Sequence, residues 1–233
     1  MTLALTNIIA GEMTPAVSGE TLDNRSSVTG EVLCTIPRSS ADDVSRAAQA
    51  ANAARRGPWA GWSVEERADV LDAVADVISD RLEEIAGLES RDTGKPFRLA
   101  ATVDVPRAIA NFRFFASAVR QHHDGFHEMA GALNYTLRRP VGTVGLITPW
   151  NLPLYLLSWK TAPALAMGNT IVAKPSEMTP MTATVLGEIL HEVGLPPGVF
   201  NLVHGLGGEV GQALSSIRTW AESASPVVPP LGR

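Results

Sequence analysis

The sequence is short of cysteine, of basic charge and of long apolar runs, and each shortage closes off a class of protein. Cys34 is the single cysteine among 233 residues. No intramolecular disulfide can form, and a reducing, cytoplasmic setting is expected. Lys and Arg number 19 against 24 Asp and Glu, for a net charge of −5, and no basic run occurs. Neither nucleic acid nor an acidic membrane surface is an expected partner. A membrane span needs about 20 uninterrupted apolar residues, whereas the most apolar region, 141–173, is broken by Pro149, Pro153, Lys160 and Pro163. The opening stretch, "MTLALTNIIAGEMTP", lacks the basic segment of a signal peptide. His122, His123 and His127 cluster, but no cysteine and no HExxH pattern joins them, so no metal site is expected. There is no Gly-x-Ser-x-Gly elbow. Cys34 itself sits in a turn-rich stretch and reads as a small buried hydrophobe rather than a nucleophile.

What is present is an orderly α/β sequence. Residues 3–37 read as short strands and turns. From Ser40 the period becomes helical: "ADDVSRAAQAANAARR" stops at Gly57-Pro58, and "SVEERADVLDAVADVISDRLEEIAGLES" opens on a capping box, Ser63 and Glu66. A further helix over "RLAATVDVPRAIANFRFFASAVR" should bend or restart at Pro106. "ALNYTLRRP" alternates and suggests an exposed hairpin arm. Then strand and helix alternate. "VGTVGLI" (141–147) reads as a strand buried on both faces, followed by a helix, the strand "NTIVAKP", a helix, the strand "GVFNLVHG" and the start of a third helix at "GGEVGQAL". Repeated βα units imply a parallel, doubly wound, Rossmann-like sheet. The expected organisation is N-terminal strands and helices over 1–120, the arm over 121–140, a βαβαβα core over 141–216 and a tail over 217–233.

Ligands of such sheets sit at the carboxyl ends of the strands, which directs attention to three turns. After Ile147 comes "TPWNLP" (148–153). Two prolines stiffen it, and the Asn151 amide could donate to a developing oxyanion; equally, Asn151 could cap the following helix, with Trp150 filling core. After Ala173 comes "KPSE" (174–177). Lys174 and Glu177 could grip a ribose diol, the carboxylate favouring NAD over NADP; or Ser176 and Glu177 could simply begin a helix. After His204 comes "HGLGGEVG". Gly207, Gly208 and Gly211 could bring backbone N–H groups to a phosphate, yet Val210 stands where the dinucleotide fingerprint has glycine, and a tight packing turn is the alternative.

In order and spacing, "PVGTVGLITPWNLPLYLLSWKTAPALAMGNTIVAKPSEMTPMTATVLGEILHEVGLPPGVFNLVHGLGG" resembles the cofactor-binding half of the NAD(P)-dependent aldehyde dehydrogenase superfamily. The likeness extends back through "ESRDTGKP" and "GPWAGWSVEERADVL" and covers roughly residues 5–216. "DVPRAIANFRFFA", "GALNYTLRRP", "PWNLPLYLLSWK" and "NLVHGLGG" are similar to the 2-hydroxymuconic and 2-aminomuconic semialdehyde dehydrogenases of aromatic ring-cleavage pathways. The resemblance implies roles position by position. Asn151 matches the amide that holds the oxyanion. Ile147, Thr148, Pro149 and Trp150 match the loop beneath the cofactor. Lys174, Ser176 and Glu177 match the group at the adenosine ribose, and Gly207, Gly208 and Gly211 match the turn at the adenine and pyrophosphate. The strand around 133–139 matches one arm of the hairpin through which such subunits oligomerise. NAD, a small aldehyde substrate and a homo-oligomeric parent enzyme follow as expectations.

The family's chemistry also uses a cysteine thiolate in a Gly-Gln-x-Cys setting and a glutamate in a Glu-Leu-Gly-Gly-Lys motif. Neither motif occurs in this sequence. The expectation is a chain without the catalytic domain and without activity of its own. The other reading is a non-catalytic nucleotide-binding or subunit-interaction module. The tail "IRTWAESASPVVPPLGR" admits a back-translation that, with one base added before it, reads "HPDVGGISFTGGTATGQ", a strand and glycine turn of the family's kind. A one-base deletion or sequencing error at the codon after Ser216 is therefore expected, and resequencing the gene decides it.

Overall fold

The computed structural model describes residues 3–217; the tail expected from position 217 lies, except for Ile217, outside the described residues. Five short strands come first: β1 (Leu3–Ala4), β2 (Asn7–Ile9), β3 (Glu12–Thr14), β4 (Thr21–Arg25) and β5 (Val32–Pro37). The helical region follows as α1 (Ala41–Ala54), α2 (Val64–Asp80), α3 (Leu82–Thr93), the single turn α4 (Phe97–Leu99) and α5 (Val105–Arg120). The remainder is β6 (Phe126–Met129), β7 (Ala132–Tyr135), β8 (Thr143–Ile147), α6 (Pro153–Ala166), β9 (Thr170–Lys174), α7 (Met181–Glu192), β10 (Phe200–Leu202) and α8 (Gln212–Ser216).

β8, β9 and β10 run parallel in the order β10-β9-β8, as the βα alternation requires. The sheet continues past β10 into β2 and β3, both antiparallel, so the N-terminal strands extend the sheet to five. Side chains alternate across β9: Ile171 and Ala173 join the large cluster under α2, α5, α6 and α7, while Val172 faces the cluster of α1 and α8. Both faces are thus covered, which makes the sheet doubly wound. β8 departs from the expectation of burial on both faces. It is the last strand of the described sheet, and Gly145 and Ile147 stay exposed; on that face α1 reaches Thr143 through Asn52 at 2.9 Å, and α8 reaches Gly145 through Leu214.

Local sequence explains most boundaries. Ser63 and Glu66 form the reciprocal capping box at 3.1 and 2.7 Å, and Ser40 with Asp43 does the same for α1. The long pattern 63–90 divides at Arg81, whose backbone leaves the helical region and whose guanidinium turns to Glu84 at 2.7 Å. The break lets α2 pack on α5 while α3 turns toward α7. Pro106 falls in the first turn of α5, where its missing N–H is no loss. A π-helical turn over Ala100–Asp104 precedes it. The arm expected around 133–139 takes the form of a two-stranded hairpin, β6–β7, pairing Phe126 with Tyr135 across the turn at Gly131. Its strands are exposed throughout, and residues 136–140 continue without strand structure.

Candidate functional site

The first turn begins where β8 ends. Thr148 is buried and its N–H reaches the Lys174 carbonyl at 3.1 Å, carrying the ladder one residue past the strand. Pro149, Trp150 and Asn151 then lie at the surface. Trp150 is 58% exposed, so it does not fill core. Asn151 does not cap α6 either: Leu152 occupies the cap position, with no side-chain cap bond. Among the described residues the Asn151 side chain has no hydrogen-bond partner, which leaves its amide available as a donor at the sheet's carboxyl edge.

The second turn is built around a buried cation. Lys174 closes β9 with a side chain 3% exposed, and its ammonium donates to the Pro175 carbonyl at 2.7 Å and to Glu177 Oε2 at 3.0 Å. α7 starts only at Met181, so "KPSE" is not a helix N-terminus. Ser176 instead tightens a turn, its hydroxyl accepting from the Met178 N–H at 3.2 Å. Partial burial pushes the Glu177 carboxyl up. Its own main-chain N–H, the Lys174 ammonium and the Gly207 N–H outweigh that and hold it below the usual carboxylate range.

The third turn requires its glycine at 205. Gly205 has φ +140°, and a Cβ there would lie 2.6 Å from Val210 Cγ2 and 3.2 Å from the Ser39 nitrogen. Val210, which breaks the dinucleotide fingerprint, is fully buried with Val172 and Leu214. Gly207–Gly211 form a π-helical turn that leads directly into α8. Gly207 and Gly208 are exposed, with open space where side chains would be. At Gly211 a Cβ would touch Lys174 Cδ at 3.8 Å and Ile147 Cδ1 at 4.0 Å.

Ile147, Lys174, Glu177, Gly207 and Gly211 are thus brought together from three separate turns. Beside them Trp150, Glu177 and Leu206 line a cavity of 420 Å³ that reaches back to Asn24 and Asp92. The arrangement offers an anionic acceptor for a hydroxyl pair, open backbone N–H groups suited to an anion, and a side-chain amide near by in sequence. Cys34 is buried and its thiol is pushed up to about 12, by burial first and by Asp92 second; it is a poor nucleophile. Among the described residues no group of three metal-ligating side chains forms, and no helix is long and apolar enough to cross a membrane.

Some residues escaped the sequence reading. Arg38 clamps Glu209 of the third turn at 2.7 and 3.2 Å across 171 positions. His204 is wholly buried, its Nε2 3.1 Å from Thr184 Oγ1 and its Nδ1 without a partner. Lys95, of "TGKP", reaches the Asn151 carbonyl at 3.3 Å. A proline-ended helix stop was the only local signal there, and it does not say what the lysine touches.

The profile of the aldehyde dehydrogenase family matches residues 14–220. A 2-aminomuconic semialdehyde dehydrogenase of Bos taurus is 49% identical over 216 residues, 92% of this chain and 44% of that protein. A 2-hydroxymuconic semialdehyde dehydrogenase of Pseudomonas sp. (strain CF600) is 46% identical over 206 residues, 86% of this chain and 42% of that protein. The NAD+ complex of an aldehyde dehydrogenase from Bacillus cereus superposes with a TM-score of 0.88 at 38% identity, over 91% of this chain and 43% of that one. The chain spans less than half the length of these relatives.

Proposed function

The chain belongs to the aldehyde dehydrogenase family, and from that premise we propose that the three convergent turns hold the adenosine and phosphate portions of NAD. The observation that carries this is the Lys174–Glu177 pair at 3.0 Å beside Gly211, where a Cβ would touch Lys174 Cδ at 3.8 Å. Glu177, with Lys174 behind it and Ser176 between, accepts from a ribose diol. Gly207 and Gly208 leave the backbone open to the pyrophosphate, and Gly211 keeps that side clear against Ile147 and Lys174. Thr148, Pro149 and Trp150 form the wall beneath the cofactor. The open glycines and the prepaid carboxylate fit such a ligand, and a carboxylate at the ribose favours NAD over NADP. When bound, NAD supplies the hydride acceptor.

The whole protein's activity is then the oxidation of a small aldehyde, a muconic semialdehyde on the strength of the relatives' names, to its acid. Asn151 is the side-chain donor to the thiohemiacetal oxygen. The parent enzyme is a cytoplasmic homo-oligomer, with the exposed β6–β7 hairpin, which carries Phe126, Leu133 and Tyr135 at its surface, as the contact. This chain by itself does not turn over, because its only cysteine is buried and held protonated. Calorimetric titration of the purified chain tests the proposal. NAD binding without dehydrogenase turnover is expected; a folded chain that shows no heat with NAD, or one that oxidises aldehydes, overturns it.

A further inference from the structure

The motif "ESRDTGKP" reaches the cavity beside Glu177 through Asp92 and Thr93, and through Glu89 and Lys95 it joins an ionic cluster that the structure buries directly under the Asn151 loop. Lys95 has a side chain only 12% exposed, and its ammonium lies 2.5 Å from Asp104 Oδ2 and 3.9 Å from Glu89 Oε1. Both carboxylates are sealed from solvent. Glu89 comes from α3, and its second oxygen accepts from Thr182 Oγ1 at 2.6 Å. Asp104 comes from the π-helical turn before α5, an interruption of the kind that collects at functional places. Ser90 fixes the intervening bend by donating to the Lys95 carbonyl at 2.7 Å.

The cluster grips the loop from below. Lys95 Nζ donates to the Asn151 carbonyl at 3.3 Å. At the loop's other end Lys160 Nζ donates to the Ile147 carbonyl at 2.5 Å. Burying such charged side chains is costly, and replacing a buried ion pair by apolar residues of similar volume is often neutral or stabilising. The arrangement gains sense if orientation is what it supplies.

We propose that Lys95, held by Glu89 and Asp104, is a positioning residue that fixes the Asn151 peptide and so aims the Asn151 side-chain amide. This rests on the reading of Asn151 as the oxyanion donor, but its test does not. In the full chain, amide hydrogen exchange and nitrogen-15 relaxation are compared between wild type, Lys95→Met and the charge-balanced double variant Lys95→Met/Asp104→Asn. The expected result is new motion of the Asn151 backbone and side-chain amides, as loss of a bond from a charged group to the Asn151 carbonyl implies, with exchange at Val172 in β9 unchanged. A purely structural role would loosen Asn151 and Val172 alike. Wild-type order at Asn151 in either folded variant overturns the proposal, and so does failure of both variants to fold, since the cluster would then serve folding itself. NAD titrated into the same samples separates the two ideas. Unmoved resonances at Lys174, Glu177 and Gly207 would count against the dinucleotide site while leaving the Lys95 result standing.

Discussion

Replacing His204 with leucine should change how stability depends on pH, and the burial of the imidazole sets the sign. The imidazole is wholly buried, and burial first, then the Lys174 charge, pushes its pKa from 6.5 down to about 3. In the unfolded chain it titrates near about 6.5. Between those values the unfolded state binds a proton that the folded state refuses. The stability His204 contributes is therefore complete above about pH 6.5 and is lost as pH falls, by about 1.4 kcal/mol per pH unit, until about pH 3. Asp92 acts the opposite way. Burial lifts its pKa from 3.8 to about 7, so the folded state keeps a proton that the unfolded chain has released, and stability falls as pH rises through that window. From about pH 4 to 6.5 the two slopes oppose each other, and the wild-type protein hides both. His204→Leu removes the first slope and leaves the second. The Thr184 hydroxyl, freed from Nε2, keeps its bond to the Pro180 carbonyl at 3.2 Å, so the variant buries no new orphan. Urea midpoints at pH 7.5, 6.5 and 5.0 should show the variant gaining about 2 kcal/mol on wild type between pH 6.5 and 5.0, about 1.4 kcal/mol for each unit crossed. A wild-type minus variant difference that stays constant across the three pH values would refute the reasoning.

Glu177→Gln should relax the choice between dinucleotides. A carboxylate about 4 Å from a 2′-phosphate charge costs about 4 kcal/mol at an effective dielectric of 20 and about half that after solvent screening, so the NADP-to-NAD ratio of Kd should fall about 30-fold in paired titrations; an unchanged ratio removes Glu177 from the ribose. Gly205→Ala should cost about 3 kcal/mol or more, because it adds a left-handed φ penalty to the 2.6 Å approach of Val210 Cγ2. Thermal melting reads this, and a wild-type midpoint would mean that the third turn is not built as described.

The sheet was legible because its signals are local. Apolar runs such as "NTIVAK" bounded by Gly168 and Pro175 can be little else than buried strands, and the Ser63/Glu66 box announces α2 within four residues. What the sequence could not carry was adjacency. β2 and β3 joining β10 depends on a pairing nearly 200 positions apart, of Ile8 with Leu202. The exposure of β8 depends on what lies beside it rather than on its own residues. The division at Arg81 has no glycine or proline to mark it, and arises because α2 and α3 pack against different partners.

The site divides along the same line. Each of the three turns could be located from its proline and glycine punctuation, yet on sequence each had a second reading as a cap, a helix start or a packing turn. Geometry removes the first two by showing what the side chains are not bonded to: Asn151 does not cap α6, Ser176 precedes α7 by several residues, and Trp150 stands in solvent, while the third turn does pack tightly at Gly205. Val210 explains why the fingerprint fails without harm to the turn. A glycine at 210 would open a hole where Val210 meets Val172 and Leu214, and Gly205 already makes the close approach that the turn requires. The buried ions under the loop lie at the far limit of what sequence can convey. Glu89, Lys95 and Asp104 are ordinary charged residues of a helix end, a bend and a π turn, and only their common burial beneath Asn151 gives them a direction in which to act.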